Sequence, residues 1–132
     1  MSAQRPHPHF DDRGTLDWET RYGAALERAR REKKLLFIEM GREACGQCRS
    51  LVTSVVPRPD VGPVLQSHFV ALASDADETE EDVLKHAYEL EDATMLPFVM
   101  FVDADGRFLE GSSGTVNPIS FAARLKRIAG VP

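Results

Sequence analysis

Apolar and polar residues follow two periods along the chain, and together these predict helices that alternate with short buried strands. The runs 35–40 and 69–74 are almost wholly apolar, which is typical of strands buried on both faces of a sheet. Elsewhere apolar residues recur every three to four positions, the spacing of a helix with one buried face. The predicted helices are 18–33, a helix that opens at the cysteine pair 45–48 and stops at residue 57, about 60–67, a helix with an acidic start at 77–82, and 118–129.

Capping residues and turns mark where these elements begin and end. We expect Asp17 to cap the first helix, and Pro118 and Gly130 to mark the two ends of the last one. After Pro97, two apolar runs separated by the turn 103–106 predict a β-hairpin.

The order of these elements predicts the fold class. Helices separating the first strands imply right-handed crossovers around a largely parallel centre, to which the hairpin adds an antiparallel edge. We therefore predict an α/β fold, a three-layer α/β/α sandwich with a mixed central sheet, formed by one domain over residues 16–132. Residues 1–15 show no period, which predicts a flexible N-terminal leader in which His7 and His9 are solvated.

Composition and charge exclude several classes of protein. The 132 residues are 42% hydrophobic and 28% charged, which are ordinary globular proportions. A net charge of -5 has the wrong sign for a phosphate backbone, so we expect no nucleic-acid partner. The longest apolar runs are far shorter than the roughly 18 residues of a membrane span, so we expect none. We expect a monomer, and the lack of an apolar signal segment favours a cytoplasmic location unless a signal was trimmed.

The two cysteines, Cys45 and Cys48, form the most informative motif. Residues three apart can form a disulfide on a turn or helix but not on a strand. A structural zinc site needs four ligands and there is no second cysteine pair, so we assign no metal ligand and no cofactor. The alternative is two small buried side chains. The spacing at a strand-to-helix junction favours redox chemistry instead.

The position of each cysteine suggests its role. Cys45 falls just before a helix, whose free N–H groups and positive dipole end favour a thiolate, so it is the candidate nucleophile. Cys48 lies one turn inside, where it can attack a mixed disulfide formed at Cys45, so it is the candidate resolving thiol.

Three segments, in this order, resemble the thioredoxin superfamily over about residues 18–129. The segment LLFIEMGREACGQCRSL resembles the family's active-site passage, and YELEDATMLPFVMFVDADGRFLEG resembles its cis-proline segment and hairpin. The helical tail closes the fold. The resemblance implies a thiol–disulfide oxidoreductase that exchanges electrons with protein disulfides and with an unidentified thiol donor.

The resemblance also implies roles for residues near the cysteines. Pro97, after Leu96, matches the family's cis-proline, whose neighbouring backbone binds a substrate strand, and we expect Gly46 and Gln47 to contact substrate as well. A trans proline that starts an edge strand is the alternative. Glu39 matches a buried acid that exchanges a proton with the second cysteine, and burial among apolar side chains disfavours the charged form of a carboxyl. A solvated acid at the edge of the strand is the alternative.

Three departures separate this chain from thioredoxins proper. Ala44 stands where they have Trp, Gln47 replaces the proline of CGPC, and Ala71 stands where they have a lysine beside the buried acid. The chain looks more like divergent bacterial thioredoxin-like proteins, including those similar to the C-terminal domain of DsbD-type reductases.

Two other functions stay open at this stage. The cysteine pair could bind Cu(I) or another soft metal, with Met40 or Met95 as an added ligand, as in thioredoxin-fold copper chaperones. The groove around Leu96 and Pro97 could also bind clients without catalysis.

Overall fold

The computed structural model describes residues 4–132, which form one mixed sheet with helices on both faces. The strands are β1 (Trp18–Glu19), β2 (Leu35–Gly41), β3 (Phe69–Asp75), β4 (Phe98–Val102) and β5 (Phe108–Ser113). The helices are α1 (Tyr22–Glu32), α2 (Gly46–Ser50), α3 (Gly62–His68), α4 (Glu81–Ala87) and α5 (Pro118–Ala129). A π-helical turn, Leu51–Val55, continues α2.

The sheet has the order β1-β3-β2-β4-β5, with β2 at its centre. β1, β3 and β2 run parallel, whereas β4 is antiparallel to both β2 and β5. The predicted three-layer sandwich with a mixed sheet is therefore confirmed. β2 therefore has a neighbouring strand on each side. Its carboxyl end leads into the loop that carries the cysteines.

Alternate side chains of the strands point to two separate cores. Odd-numbered residues of β2, such as Phe37, face α2, α3 and α5 together with residues 4–15, the N-terminal segment. Even-numbered residues, such as Met40, face α1 and α4. This alternation puts Glu39 on the face that also carries the cysteines.

The N-terminal segment is packed, unlike the loose leader that the sequence predicts. His7, Phe10 and Asp12 are buried, and the Asp12 carboxylate accepts a hydrogen bond of 2.8 Å from the indole N–H of Trp18. The guanidinium of Arg49 on α2 lies 5.1 Å from the centre of the Phe10 ring. Phe10 contacts a residue far along the chain, so the segment is packed without having a periodic pattern of its own.

The first helix begins four residues later than predicted. Trp18 is fully buried in β1 and pairs with Ala71, and Arg21 is the N-cap of α1. Asp17 does not cap the helix because its carboxylate accepts hydrogen bonds from Arg5. The Arg5 guanidinium holds the pKa of that carboxyl below its usual value.

Of the other helices, α3 and α4 begin later than predicted. α4 starts at Glu81 rather than near residue 77, because the amide of Asp77 and the hydroxyl of Thr79 bond to Asp75 and close a turn before it.

Over residues 4–132, none of the helices combines the length and the apolar character needed to cross a membrane.

Candidate active site

The cysteines lie where the loop after β2 turns into α2. Cys45 is the N-cap residue of α2, and its Sγ accepts a hydrogen bond of 3.1 Å from the backbone N–H of Cys48. The two side chains form a disulfide, with Cα atoms 5.2 Å apart. The predicted juxtaposition at a helix start is therefore present in the folded chain.

The two sulfurs differ in access. Cys48 is completely buried, whereas Cys45 is partly exposed. Cys45 lines a shallow groove of about 410 Å³, whose other lining residues are Arg42, Ala44, Gly46, Gln47, Thr94, Met95 and Leu96. An incoming sulfur can thus reach Cys45, while Cys48 is accessible only through it.

The loop before β4 forms the second wall of this groove. Leu96 and Met95 line the groove, and the Leu96–Pro97 peptide bond is cis, the geometry that the resemblance implies. Pro97 itself is buried behind the wall. Of the residues predicted to contact substrate, Gly46, Gln47 and Leu96 line the groove and Pro97 supports it.

Glu39 lies on the protein side of the disulfide, away from the groove. Its residue is only 2% exposed, so it is not a solvated acid at the edge of a strand. A Cβ atom added at Gly41 would stand 2.5 Å from Glu39 Oε2 and 2.6 Å from Cys48 Sγ. The carboxyl and the inner sulfur therefore face each other across the space above Gly41, which only a residue without a side chain leaves open.

The partner of the buried carboxyl is His7, which the sequence analysis placed in a solvated leader. His7 Nε2 lies 2.7 Å from Glu39 Oε1, and both side chains are 2% exposed. On the neighbouring strand, Ala73 pairs with Glu39, while Ala71 pairs with Phe37. Ala71 is therefore not directly opposite the acid, and the β3 residue that does pair with Glu39 is an alanine without charge.

The sequence pattern does not indicate this role of His7, because its contact with Glu39 spans 32 residues and leaves no local pattern. One signal was available. An acid buried in an apolar strand requires a polar partner, and when the next strand offers alanines that partner has to come from a segment distant in sequence.

The positions of the methionines bear on the metal alternative. Met40 is buried in the core on the opposite face of the sheet from Cys45, whereas Met95 is 54% exposed and lines the cysteine groove. Within the part of the chain that the structure describes, no three His, Cys, Asp or Glu side chains are grouped so as to hold a metal ion.

The geometry of this site agrees with comparison to known proteins. A family model described as thioredoxin-like matches residues 17–104, which include both cysteines, Glu39 and the cis-proline. The chain belongs to the thioredoxin-like family. A search of the curated proteins found no significant match.

Solved structures of the thioredoxin-like fold resemble the chain over most of its length. A thioredoxin from Thermus thermophilus is 23% identical with a TM-score of 0.67, covering 84% of this chain and 85% of that one. A disulphide isomerase from Xylella fastidiosa is 19% identical with a TM-score of 0.67, covering 80% and 86%. A putative disulphide-isomerase from Bacteroides thetaiotaomicron is 26% identical with a TM-score of 0.67, covering 83% and 87%. These similarities establish the fold.

Proposed function

We propose that this chain is a thiol–disulfide oxidoreductase that reduces protein disulfides, with Cys45 as nucleophile and Cys48 as resolving thiol. The observation that carries the proposal is the unequal access of two sulfurs joined at the start of α2: Cys45 opens to a groove and Cys48 is sealed behind it. The thioredoxin-like fold and the oxidoreductases that share it support the same function.

The reaction has two exchange steps. The Cys45 thiolate attacks a substrate disulfide, forms a mixed disulfide and releases one substrate thiolate. Cys48 then loses its proton and attacks Cys45 Sγ, which breaks the mixed disulfide and releases the second thiolate. Two electrons pass to the substrate and the Cys45–Cys48 disulfide remains.

Three features of the structure support this assignment of roles. The N–H of Cys48 points at Cys45 Sγ and would stabilise a thiolate there. Cys48 is close enough to Cys45 to displace the substrate. The buried Glu39 carboxyl, facing Cys48 across Gly41, supplies a base for the proton that Cys48 must lose.

The groove fits a peptide as substrate. It runs between the cysteine loop and the loop before β4, and its lining combines apolar Met95 and Leu96 with the guanidinium of Arg42. A thiol that reduces the Cys45–Cys48 disulfide again would enter by the same opening. A monomeric state and a cytoplasmic location stay predictions.

Single-cysteine variants test the proposal. With insulin as disulfide substrate and dithiothreitol as donor, we expect Cys45→Ser to abolish turnover. We expect Cys48→Ser to lose most of the turnover. When the reduced variant is mixed with insulin after dithiothreitol has been removed, it should accumulate a mixed disulfide at Cys45, visible by mass spectrometry. The matched pair differs only in which sulfur is left.

Two results would contradict this function. One is a wild-type protein whose thiols show no disulfide exchange although Cys45 reacts with an alkylating reagent. The other is stoichiometric retention of Cu(I) by the reduced protein without any reductase turnover, which would favour the soft-metal chaperone instead.

A further inference from the structure

The N-terminal segment places a buried histidine against the acid of the active site. His7 Nε2 and Glu39 Oε1 are 2.7 Å apart, and both side chains are almost inaccessible to solvent. His7 also packs edge-on against the Trp18 ring, with ring centres 4.7 Å apart, and is stacked near Phe10. The imidazole is therefore held from several sides and is not a mobile side chain.

Local hydrogen bonds fix which nitrogen of this imidazole carries the proton. The backbone N–H groups of His9 and Phe10 both point at His7 Nδ1, at 3.0 and 3.2 Å. Nδ1 accepts these bonds and carries no hydrogen, so the proton of the neutral ring lies on Nε2. His7 consequently donates an N–H···O bond to Glu39 Oε1.

Because of this bond, the two oxygens of the Glu39 carboxyl have different surroundings. Oε1 is occupied by His7, while Oε2 lies on the side of Gly41 and Cys48. A carboxyl with one oxygen held by a donor cannot rotate freely, so Oε2 is kept facing Cys48 Sγ. The imidazole thus orients the group that Cys48 needs.

A cavity of about 380 Å³ connects the same carboxyl with the outside. Both His7 and Glu39 line it, together with Gly41, Ala73 and Ser74. The titratable and charged groups around it are His9, Arg21, Asp75, Glu78 and Glu80. This cavity shares none of its lining residues with the substrate groove, so a proton taken up by Glu39 can leave without crossing the bound substrate.

We propose that His7 is a positioning residue, which holds Glu39 as an oriented carboxylate so that it accepts the proton of Cys48 during resolution. The inference rests on the proposed function. Cys48 S–H gives its proton to Glu39 Oε2, the Cys48 sulfur bonds to Cys45 Sγ, and the substrate sulfur leaves with the electron pair of the broken bond. The proton then passes from Glu39 to water in the cavity.

The two exchange steps can be followed separately with Ellman's reagent, an aromatic disulfide. Mixing reduced protein with the reagent releases one coloured thiolate when Cys45 attacks and a second when Cys48 resolves the mixed disulfide. Stopped-flow traces from pH 5 to 9 give a rate profile for each release. Only the second profile should depend on His7.

Two substitutions at His7 form a matched test. His7→Leu keeps an apolar body and removes the donor, which disfavours the charged carboxylate. We expect the rate of the second release at pH 7 to fall about tenfold, since a hydrogen bond to a charged group is worth about that much. His7→Gln retains an N–H donor, so the pH profile of its second release should match that of the wild type to within a few tenths of a pH unit. The first release should be unchanged in both.

A double variant shows whether His7 acts through Glu39. In a Glu39→Gln background, His7→Leu should change the second profile no further. If His7→Leu does not fold, His7→Asn replaces it, because its carbonyl can accept from the N–H groups of the turn while its amide is too short to reach Glu39.

The inference is overturned if the second release keeps its wild-type rate without the donor. It is also overturned if both releases slow equally, or if His7→Leu changes the second release as much in the Glu39→Gln background as it does in the wild type. Failure of the proposed function looks different, because wild-type protein would then release no second thiolate.

Discussion

At the residue scale, Gly41 is a position where the site leaves no room for a side chain. Its own φ is not in the left-handed region, so the reason for glycine is the close approach of Glu39 and Cys48. In Gly41→Ala the new methyl group must displace the buried carboxyl or the sulfur. We expect a loss of about 1 to 3 kcal/mol in the free energy of unfolding, measured with urea, and a rate of resolution lower by about tenfold or more.

The matched control for this substitution is Gly23→Ala in α1. A Cβ atom at Gly23 meets nothing within 4 Å, and alanine favours a helix over glycine. This variant should therefore be as stable as wild type or more so, by up to about 1 kcal/mol, with unchanged reductase kinetics. If Gly41→Ala behaved like Gly23→Ala, the close approach would not matter.

Sequence reasoning at this scale succeeded where spacing carries the chemistry. Cys45 and Cys48 are three residues apart, a spacing that indicates a disulfide pair by itself, and the resemblance to the thioredoxin superfamily adds Glu39. His7 could not be found in this way, because two prolines and two histidines in a segment without a period are typical of a solvated tail. Its burial depends on a cavity formed by residues much later in the chain.

At the element scale, α5 depends on a side-chain cap. The Asn117 carboxamide oxygen accepts from the backbone N–H groups of Ile119 and Ser120, both at 3.0 Å. In Asn117→Ala these two donors lose their partner, so we expect the free energy of unfolding in urea to fall by about 1 kcal/mol.

Asn117→Asp separates the cap from other effects of substitution. It keeps an oxygen acceptor at the same place and adds a negative charge near the N-terminus of the helix, where charge of that sign is favourable. We expect its stability to equal or exceed that of wild type. Equal losses in the Ala and Asp variants would mean that the two hydrogen bonds contribute little.

The helices show why some boundaries can be predicted and others cannot. α5 runs from Pro118 to Ala129 as predicted, because a proline at its start and Gly130 in the left-handed region at its end act locally. The predicted α1 is too long because aspartate is a residue type that often caps helices, whereas the Asp17 carboxylate accepts a hydrogen bond from Arg5 instead. Capping rules based on nearby residues fail where the side chain of the expected cap forms hydrogen bonds with a residue distant in sequence.

At the scale of the whole molecule, the layer architecture follows from the order of the elements. Alternating helices and strands left few topologies that obey right-handed crossover, and the observed sheet is one of them. The sequence pattern does not predict the edge strand β1 or the packed segment before it. A strand of two residues has too few positions to show a period, and Trp18 fits a helical face as well as a strand.

Stability of the whole chain should depend on pH through His86, which is buried between α4 and α1. Its Nε2 lies 2.8 Å from the Tyr22 hydroxyl, and burial lowers the pKa of His86 below its ordinary value, against the weaker opposing effects of Asp82 and Glu89. The unfolded chain binds a proton at this histidine below about pH 6.5. The folded chain does so only at lower pH, so the free energy of unfolding decreases as the pH falls through this window.

Substitution isolates this contribution from other titrating groups. His86→Gln keeps a polar partner for Tyr22 without titrating, so wild type should lose stability relative to this variant between pH 7.5 and 5.5, by at most about 1.4 kcal/mol per pH unit. Tyr22→Phe removes the hydroxyl but leaves the imidazole, so it should lower the free energy of unfolding by about 1 kcal/mol and keep the pH dependence. Urea unfolding at several pH values measures both. A constant difference between wild type and His86→Gln would show that the imidazole titrates alike in the folded and unfolded chains, and that its burial between the two helices carries no penalty for the charged form.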